Sequence, residues 1–236
     1  MKHLLRILLV AVVAGCGSNQ TAGDSNAVAH NGRATGSTEP ATPRDDETGI
    51  EKNTTSEQLS NANPVAVLED WQTRIERNDL GEVIHVDLSA SQVTDSELAE
   101  VAELAKLRVL HLFNTQITDA GLKHLKGMAS LQELGPGGTQ ITDTGLVHLA
   151  GLTSLGTLDF SLCSKIEDQG LAHLKELTSL QELSLYKTQV TDAALVHLKV
   201  LTNLEHLVLP DLGTTPAGVA ELQKALPNCE INRLDF

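Results

Sequence analysis

The feature that most limits what this chain can fold into is a stretch that repeats itself. TQITDAGLKHLKGM (Thr115 to Met128) returns as TQITDTGLVHLAGL (Thr139 to Leu152) and TQVTDAALVHLKVL (Thr188 to Leu201), with a divergent copy, SKIEDQGLAHLKEL, from Ser164 to Leu177. Leu107, Leu131 and Leu155 fall 24 residues apart, Leu180 follows after 25, and Leu204 after 24. A fixed period of this length makes each unit one turn of a stack rather than a domain in itself.

The residue types explain the unit. In LxxLxL the alternate leucines, Leu110 and Leu112 in the second repeat, point to one side of a short strand, leaving Val109, His111 and Phe113 on the other. Ile117 turns the chain back over the core. Thr118 and Asp119 supply a helix start, because a hydroxyl or carboxylate accepts from free backbone N–H groups and negative charge suits the positive end of the helix dipole. Leu122, Leu125 and Met128 then make one helical stripe. A lone unit cannot bury both its strand face and its helix stripe; stacked units share one core.

The skeleton LxxLxLxxTxITDxGLxHLxxL resembles leucine-rich repeats, over roughly residues 83 to 231. Its ITDxGL segment is similar to the cysteine-containing class found in F-box/leucine-rich-repeat proteins and in many bacterial lipoproteins. The resemblance implies an α/β fold: a right-handed solenoid of about six 24-residue strand–turn–helix units, with a parallel sheet on the concave face and an N-terminal capping helix.

The chain opens with MKHLLRILLVAVVAGC. Lys2 and Arg6 are basic, the apolar run Ile7 to Ala14 is too short to span a bilayer, and small residues precede Cys16. This reads as an export signal over residues 1–15. Val13-Ala14-Gly15-Cys16 looks like a lipobox, which implies cleavage before Cys16 and lipid on its thiol; an ordinary secretory signal with an incidental cysteine is the alternative. Gly17 resembles signals that direct lipoproteins to an outer membrane, so the expected location is a bacterial outer membrane, periplasm or cell surface. Residues 16–63 are rich in Ser, Thr, Asn and Gly and poor in large apolar side chains, a composition that reads as a disordered tether with a reach of about 35–40 Å.

Residues 64–82 are expected to form the capping helix, with Pro64 in its first turn and Val67, Leu68, Trp71 and Ile75 on one stripe. Repeats fill 83–225, the first of them degenerate, and 226–236 close the array. Two units depart from the pattern. Pro136, flanked by glycines in LGPGG, stands where Leu112 sits one repeat earlier; this predicts a kink or an early strand end, since proline donates no ladder hydrogen bond. The fourth unit carries one extra residue, with Cys163 at the Thr115 position, which predicts a bulge in its turn.

Function has to come from a surface. No nucleophile–base pair, phosphate loop, buried carboxylate pair or cofactor motif is apparent, so no enzymatic role is expected. The formal charge of −14 and only five aromatic residues disfavour nucleic-acid binding. Cys163 and Cys229 lie too many strands apart for a disulfide and read as buried free thiols. His124, His148, His173 and His197 form a column about 200° round the helix from the core leucine, toward solvent, rather than a metal array.

The strand positions without core duty are the candidate binding face. They include His85, Asp87, His111, Phe113, Glu133, Asp159, Glu182, Tyr186 and His206. Phe113 and Tyr186 read as exposed anchors. Asp87 and His111 are expected to be cross-strand neighbours, with His85 two residues from Asp87, either as an ion pair that raises the His111 pKa or as a divalent-cation site. The expected function is recognition of a protein or peptide by a membrane-tethered module. Two alternatives are a structural envelope protein without a discrete partner, and ubiquitin-ligase substrate selection as the F-box resemblance implies.

Overall fold

The structure is a computed structural model, and it describes residues 74–234. The signal, Cys16, the tether, and residues 64–73 with Trp71 lie outside the described residues.

Eight strands form one sheet in chain order: β1 (Arg74–Arg77), β2 (Val83–Asp87), β3 (Val109–His111), β4 (Glu133–Gly135), β5 (Thr157–Asp159), β6 (Glu182–Ser184), β7 (His206–Pro210) and β8 (Glu230–Leu234). From β2 onward every neighbouring pair is parallel. The register runs Val86↔Leu110↔Leu134↔Leu158 and Leu158↔Leu183↔Leu207↔Ile231. All of these are buried except the half-buried Ile231. One apolar cluster runs from Val83 to Cys229, as the 24-residue period requires.

The return segments are short: α1 (Asp95–Val101), α2 (Asp119–Leu122), α3 (Asp143–Leu146), α4 (Leu195–Leu198) and α5 (Pro216–Ala225), with 3₁₀ turns between or beside them. Thr118 caps α2, its hydroxyl accepting from the Ala120 N–H at 3.2 Å. Leu122 and Leu125 are buried and Met128 packs against the core.

The neighbouring aspartates hold the coils together. The carboxylate of Asp119 accepts from both the Thr142 N–H (2.8 Å) and the Thr142 hydroxyl (2.7 Å) of the next coil. Asp95 does the same to Thr118, Asp168 to Thr191 and Asp192 to Thr215. Asp143 faces Glu167 instead of threonine and accepts only its N–H, at 2.7 Å. The carboxylates of Asp95, Asp119, Asp143 and Asp192 occupy the space where a Cβ on Gly121, Gly145, Gly170 or Gly218 would stand, so at these four coils glycine makes room for the preceding coil's aspartate. Ala194 takes this position in the fifth coil, and there the order of the turn is reversed: 3₁₀ (Asp192–Ala194) precedes α4, whereas α2 and α3 precede their 3₁₀ turns.

The expected capping helix over 64–82 is corrected in its described part. Arg74–Arg77 is a strand, antiparallel to β2. Asn78 Oδ1 accepts from the Leu80 and Glu82 N–H groups, both at 3.0 Å, and Gly81 adopts φ +79°, which closes a tight turn. Ile75 packs on the core between exposed Arg74 and Glu76, a period of two rather than 3.6. A strand caps better than a helix at this end because it pairs the edge amides of β2.

At Pro136 the ladder, rather than the strand, ends early. β4 has the length of its neighbours, but β4 and β5 share two register pairs where β3 and β4 share three. The N–H groups of Leu112 and Phe160, one coil to either side, each donate 2.9 Å bonds to the next strand; proline has none to give. Pairing resumes at Gly138, whose N–H donates to the Ser161 carbonyl at 2.7 Å.

The extra residue of the fourth coil lies between Cys163 and Ile166, where Lys165 bridges to Thr142. Thr115, Thr139 and Thr188 donate within their own coils at 2.7 Å, to the carbonyls of Leu112, Pro136 and Leu185. Cys163 reaches across instead, its thiol 3.3 Å from the Pro136 carbonyl.

Candidate functional site

The outward column nearest the strand starts crosses the whole sheet: Glu76, His85, Val109, Glu133, Thr157, Glu182, His206, Glu230. Glu76 and Glu230, at its two ends, are exposed; the six between are half-buried. Strand pairing therefore delivers His85, Glu133, Glu182 and His206 to one continuous row.

Three imidazole–carboxylate pairs cross neighbouring strands. His111 Nε2 lies 2.8 Å from Glu133 Oε1, a hydrogen bond. His85 Nδ1 lies 3.6 Å from Glu76, and His206 Nδ1 lies 3.5 Å from Glu230. His85 also meets the His111 ring edge-on, with centroids 5.3 Å apart.

His111 is the electrostatic centre of this end. Burial opposes a charge on its ring, but the Glu133 hydrogen bond and charge outweigh it, with help from Asp87 and Asp159, so its pKa lies above the ordinary histidine value. Asp87 is its register partner on β2, as expected, yet the ring is bonded to Glu133 and the Asp87 charge acts only at longer range. Burial raises the Asp87 pKa; hydrogen bonds from Ser89, together with the charges of His111 and His85, overcome this and leave it lowered. Asp159 goes the other way, because its burial outweighs its bonds from Ser161 and the His111 charge. Among the described residues no group of three or more His, Cys, Asp or Glu side chains is placed to share a metal ion.

Phe113 is corrected: it is 5% exposed and is no surface anchor. The glycines around Pro136 are the reason. A Cβ on Gly137 would stand 3.0 Å from the Phe113 ring and 2.8 Å from the Ser161 carbonyl, and one on Gly135 would stand 3.3 Å from His111. The missing side chains let both rings lie down over β4. At the outward position of Phe113 the surface is closed further along by buried Ser161 and Pro210, and at that of His111 by buried Ser184 and Val208; the Ser161 and Ser184 hydroxyls bond at 2.7 Å. Tyr186 stays half-buried, with Lys187 Nζ 5.2 Å from its ring centroid.

Reading alternate positions as outward gave the columns but treated every outward residue as accessible. It also missed Glu76 and Glu230, which belong to capping strands. The aspartate ladder was legible in principle, since Asp and Gly recur together in ITDxG.

No family model matches the sequence, and comparison with curated proteins found no match either. Solved structures do resemble it. A leucine-rich-repeat protein of Leptospira interrogans is 29% identical with a TM-score of 0.43, over 57% of this chain and 33% of that one. Internalin C2 of Listeria monocytogenes is 22% identical with a TM-score of 0.47, over 65% and 76%. The yeast Rad7–Elc1 complex is 21% identical with a TM-score of 0.48, over 60% and 40%. The in-register coils, the single leucine spine and the parallel sheet built one strand per repeat give the described residues an α/β solenoid fold of the leucine-rich-repeat kind.

Proposed function

We propose that this chain is an exported recognition module, anchored to a bacterial membrane by lipid on Cys16 and a tether over 16–63, that binds a protein or peptide on its strand face and performs no catalysis. One observation carries the binding part of this reading. The apolar side of the sheet is consumed by the spine, while the opposite side offers a row of varied side chains across eight strands, polar at every strand but β3, where Val109 stands. A recognition surface needs such variety on a rigid support. The lipobox-like Val13-Ala14-Gly15-Cys16 supports the anchor.

Photo-crosslinking on native membranes tests the binding reading. A photoreactive residue at Thr157, mid-row, is expected to give one dominant product; the same residue at Val147, exposed on the opposite side, is not. Equal and diffuse products from both positions refute it in favour of a structural spacer. Mass spectrometry of a Cys16→Ser variant tests the anchor, with loss of the acyl mass expected.

A further inference from the structure

The return side of the solenoid carries a charge opposite to that of the chain. In coils two to five, two residues stand between the buried leucine pairs Leu122/Leu125, Leu146/Leu149, Leu171/Leu174 and Leu195/Leu198. The second of the two is His124, His148, His173 or His197. Burial of the leucines on either side turns these residues outward. The short segments that bear them pack serially against one another and form one ridge. Over 122–127, 146–151, 171–176 and 195–200 the ridge has four exposed lysines, Lys123, Lys126, Lys175 and Lys199, and one carboxylate, Glu176, in a chain of formal charge −14. The aspartates that open the same turns are already bonded to the next coil.

Two observations separate this ridge from an ordinary solvated face. Its cations are unanswered: among the described residues none of these lysines and histidines is in an ion pair, whereas His85, His111 and His206 on the strand face each meet a carboxylate. The ridge is also apolar. Val147, Val196 and Val200 are 46%, 56% and 52% exposed, three of the five large hydrophobic side chains that the described residues leave to solvent. Val147 and Val196 adjoin His148 and His197, and Val200 adjoins Lys199. A helix dipole favours a cation in the last turn but gives no reason to expose valine beside it. In the coils to either side the histidine position passes to Glu100 and Glu221, so the sign reverses where the ridge stops. Lysine interleaved with exposed apolar side chains matches a surface that is anionic outside and hydrocarbon beneath.

We infer that the return ridge of coils two to five docks on an anionic lipid surface, with its lysines over the phosphate-bearing headgroups and its three valines at the boundary with the acyl chains. The imidazole N–H groups between them donate to phosphate oxygens. An acidic protein or a nucleic acid supplies the same charge but no hydrocarbon layer for the valines. This rests on the membrane placement proposed above and adds the face that meets the bilayer. With the ridge down, the strand face points away from the lipid and stays open to the partner proposed for it.

The test uses the full-length protein with vesicles of phosphatidylcholine, with and without phosphatidylglycerol. An environment-sensitive fluorescent residue replaces Val196, or Thr157 on the strand face as a control. Phosphatidylglycerol is expected to shift the Val196 emission to the blue and open it to quenching by brominated acyl chains, while the Thr157 probe is unchanged; raised salt weakens the effect. Lys126→Gln and Lys175→Gln are each expected to lower the ratio of docked to undocked protein about fivefold, the share of one lysine near an anionic surface. Lys187→Gln, the same loss of charge beside Tyr186, is expected to change nothing. Circular dichroism checks that each variant keeps its fold. A Val196 probe that reads the same in both vesicles, an unchanged response in both ridge variants, or an equal response to soluble polyglutamate or DNA overturns the inference. The anchor is judged apart: a chain that floats with both vesicles while Val196 stays unshifted keeps the anchor and loses the ridge.

Discussion

Gly145→Ala gives the sharpest test of how the coils are joined. In an ordinary helical segment this change stabilises by about 0.5–1 kcal/mol, because glycine loses more backbone freedom on folding. Here the new methyl would stand inside contact distance of the Asp119 carboxylate, and Leu122 Cδ1 is 3.2 Å away on the same side. Asp119 must move, and with it go its bonds to the Thr142 N–H and hydroxyl. Two charge-assisted bonds at a partly buried site contribute together about 3 kcal/mol. Subtracting the helix gain leaves a net destabilisation of ~2 kcal/mol. Urea unfolding followed by circular dichroism reads this as a lower midpoint at unchanged slope. A double-mutant cycle with Asp119→Ala should recover most of the loss, because the methyl then has no carboxylate to displace. A Gly145→Ala protein as stable as the parent, or a cycle with no coupling, refutes the steric argument. The fifth coil is the natural reference for such a variant, since Ala194 coexists there with the Asp168–Thr191 bonds and the 3₁₀ segment precedes the α segment.

Three further outcomes follow from the site and core. Phe113→Ala should cost ~3 kcal/mol in urea unfolding, because the ring is buried over Gly137; a loss below 1 kcal/mol would return it to the surface. In an NMR titration His111 should titrate above the ordinary histidine value, and Glu133→Gln should bring it down. The sign follows: the protonated pair stabilises fully below the unfolded-state histidine pKa, and this contribution disappears as pH rises through the higher folded value. Cys163 and Cys229 are both buried, and burial raises both thiol pKa values, that of Cys229 to about 11. At pH 8 the folded protein should alkylate at neither and the unfolded protein at both, by peptide mass mapping.

The spine and the columns were legible because both depend on period alone. LxxLxL fixes which side chains point inward, and a parallel register in 24-residue steps then places Val109 beside Glu133 and Glu182 beside His206. What escaped was set by neighbours rather than by spacing. Phe113 is outward by alternation yet buried, because two glycines one strand away leave it room. His111 is beside Asp87 by register yet bonded to Glu133, a diagonal neighbour that a long side chain can reach. RIER at Arg74 continued a plausible helical stripe, and only the demand of an open sheet edge turns it into a strand.

Pro136 and Glu167 look unrelated in sequence, but they weaken the same junction. Between the third and fourth coils the strand ladder is one pair short, and the carboxylate of Asp143 holds one partner where its counterparts hold two. The Cys163 thiol and Lys165, bonded back to the Pro136 carbonyl and the Gln140 side chain, stitch this seam only in part. In a stack whose cooperativity passes only between adjacent units, such a joint divides the molecule into two blocks of three coils that can loosen independently. Amide exchange should therefore rise first at this boundary.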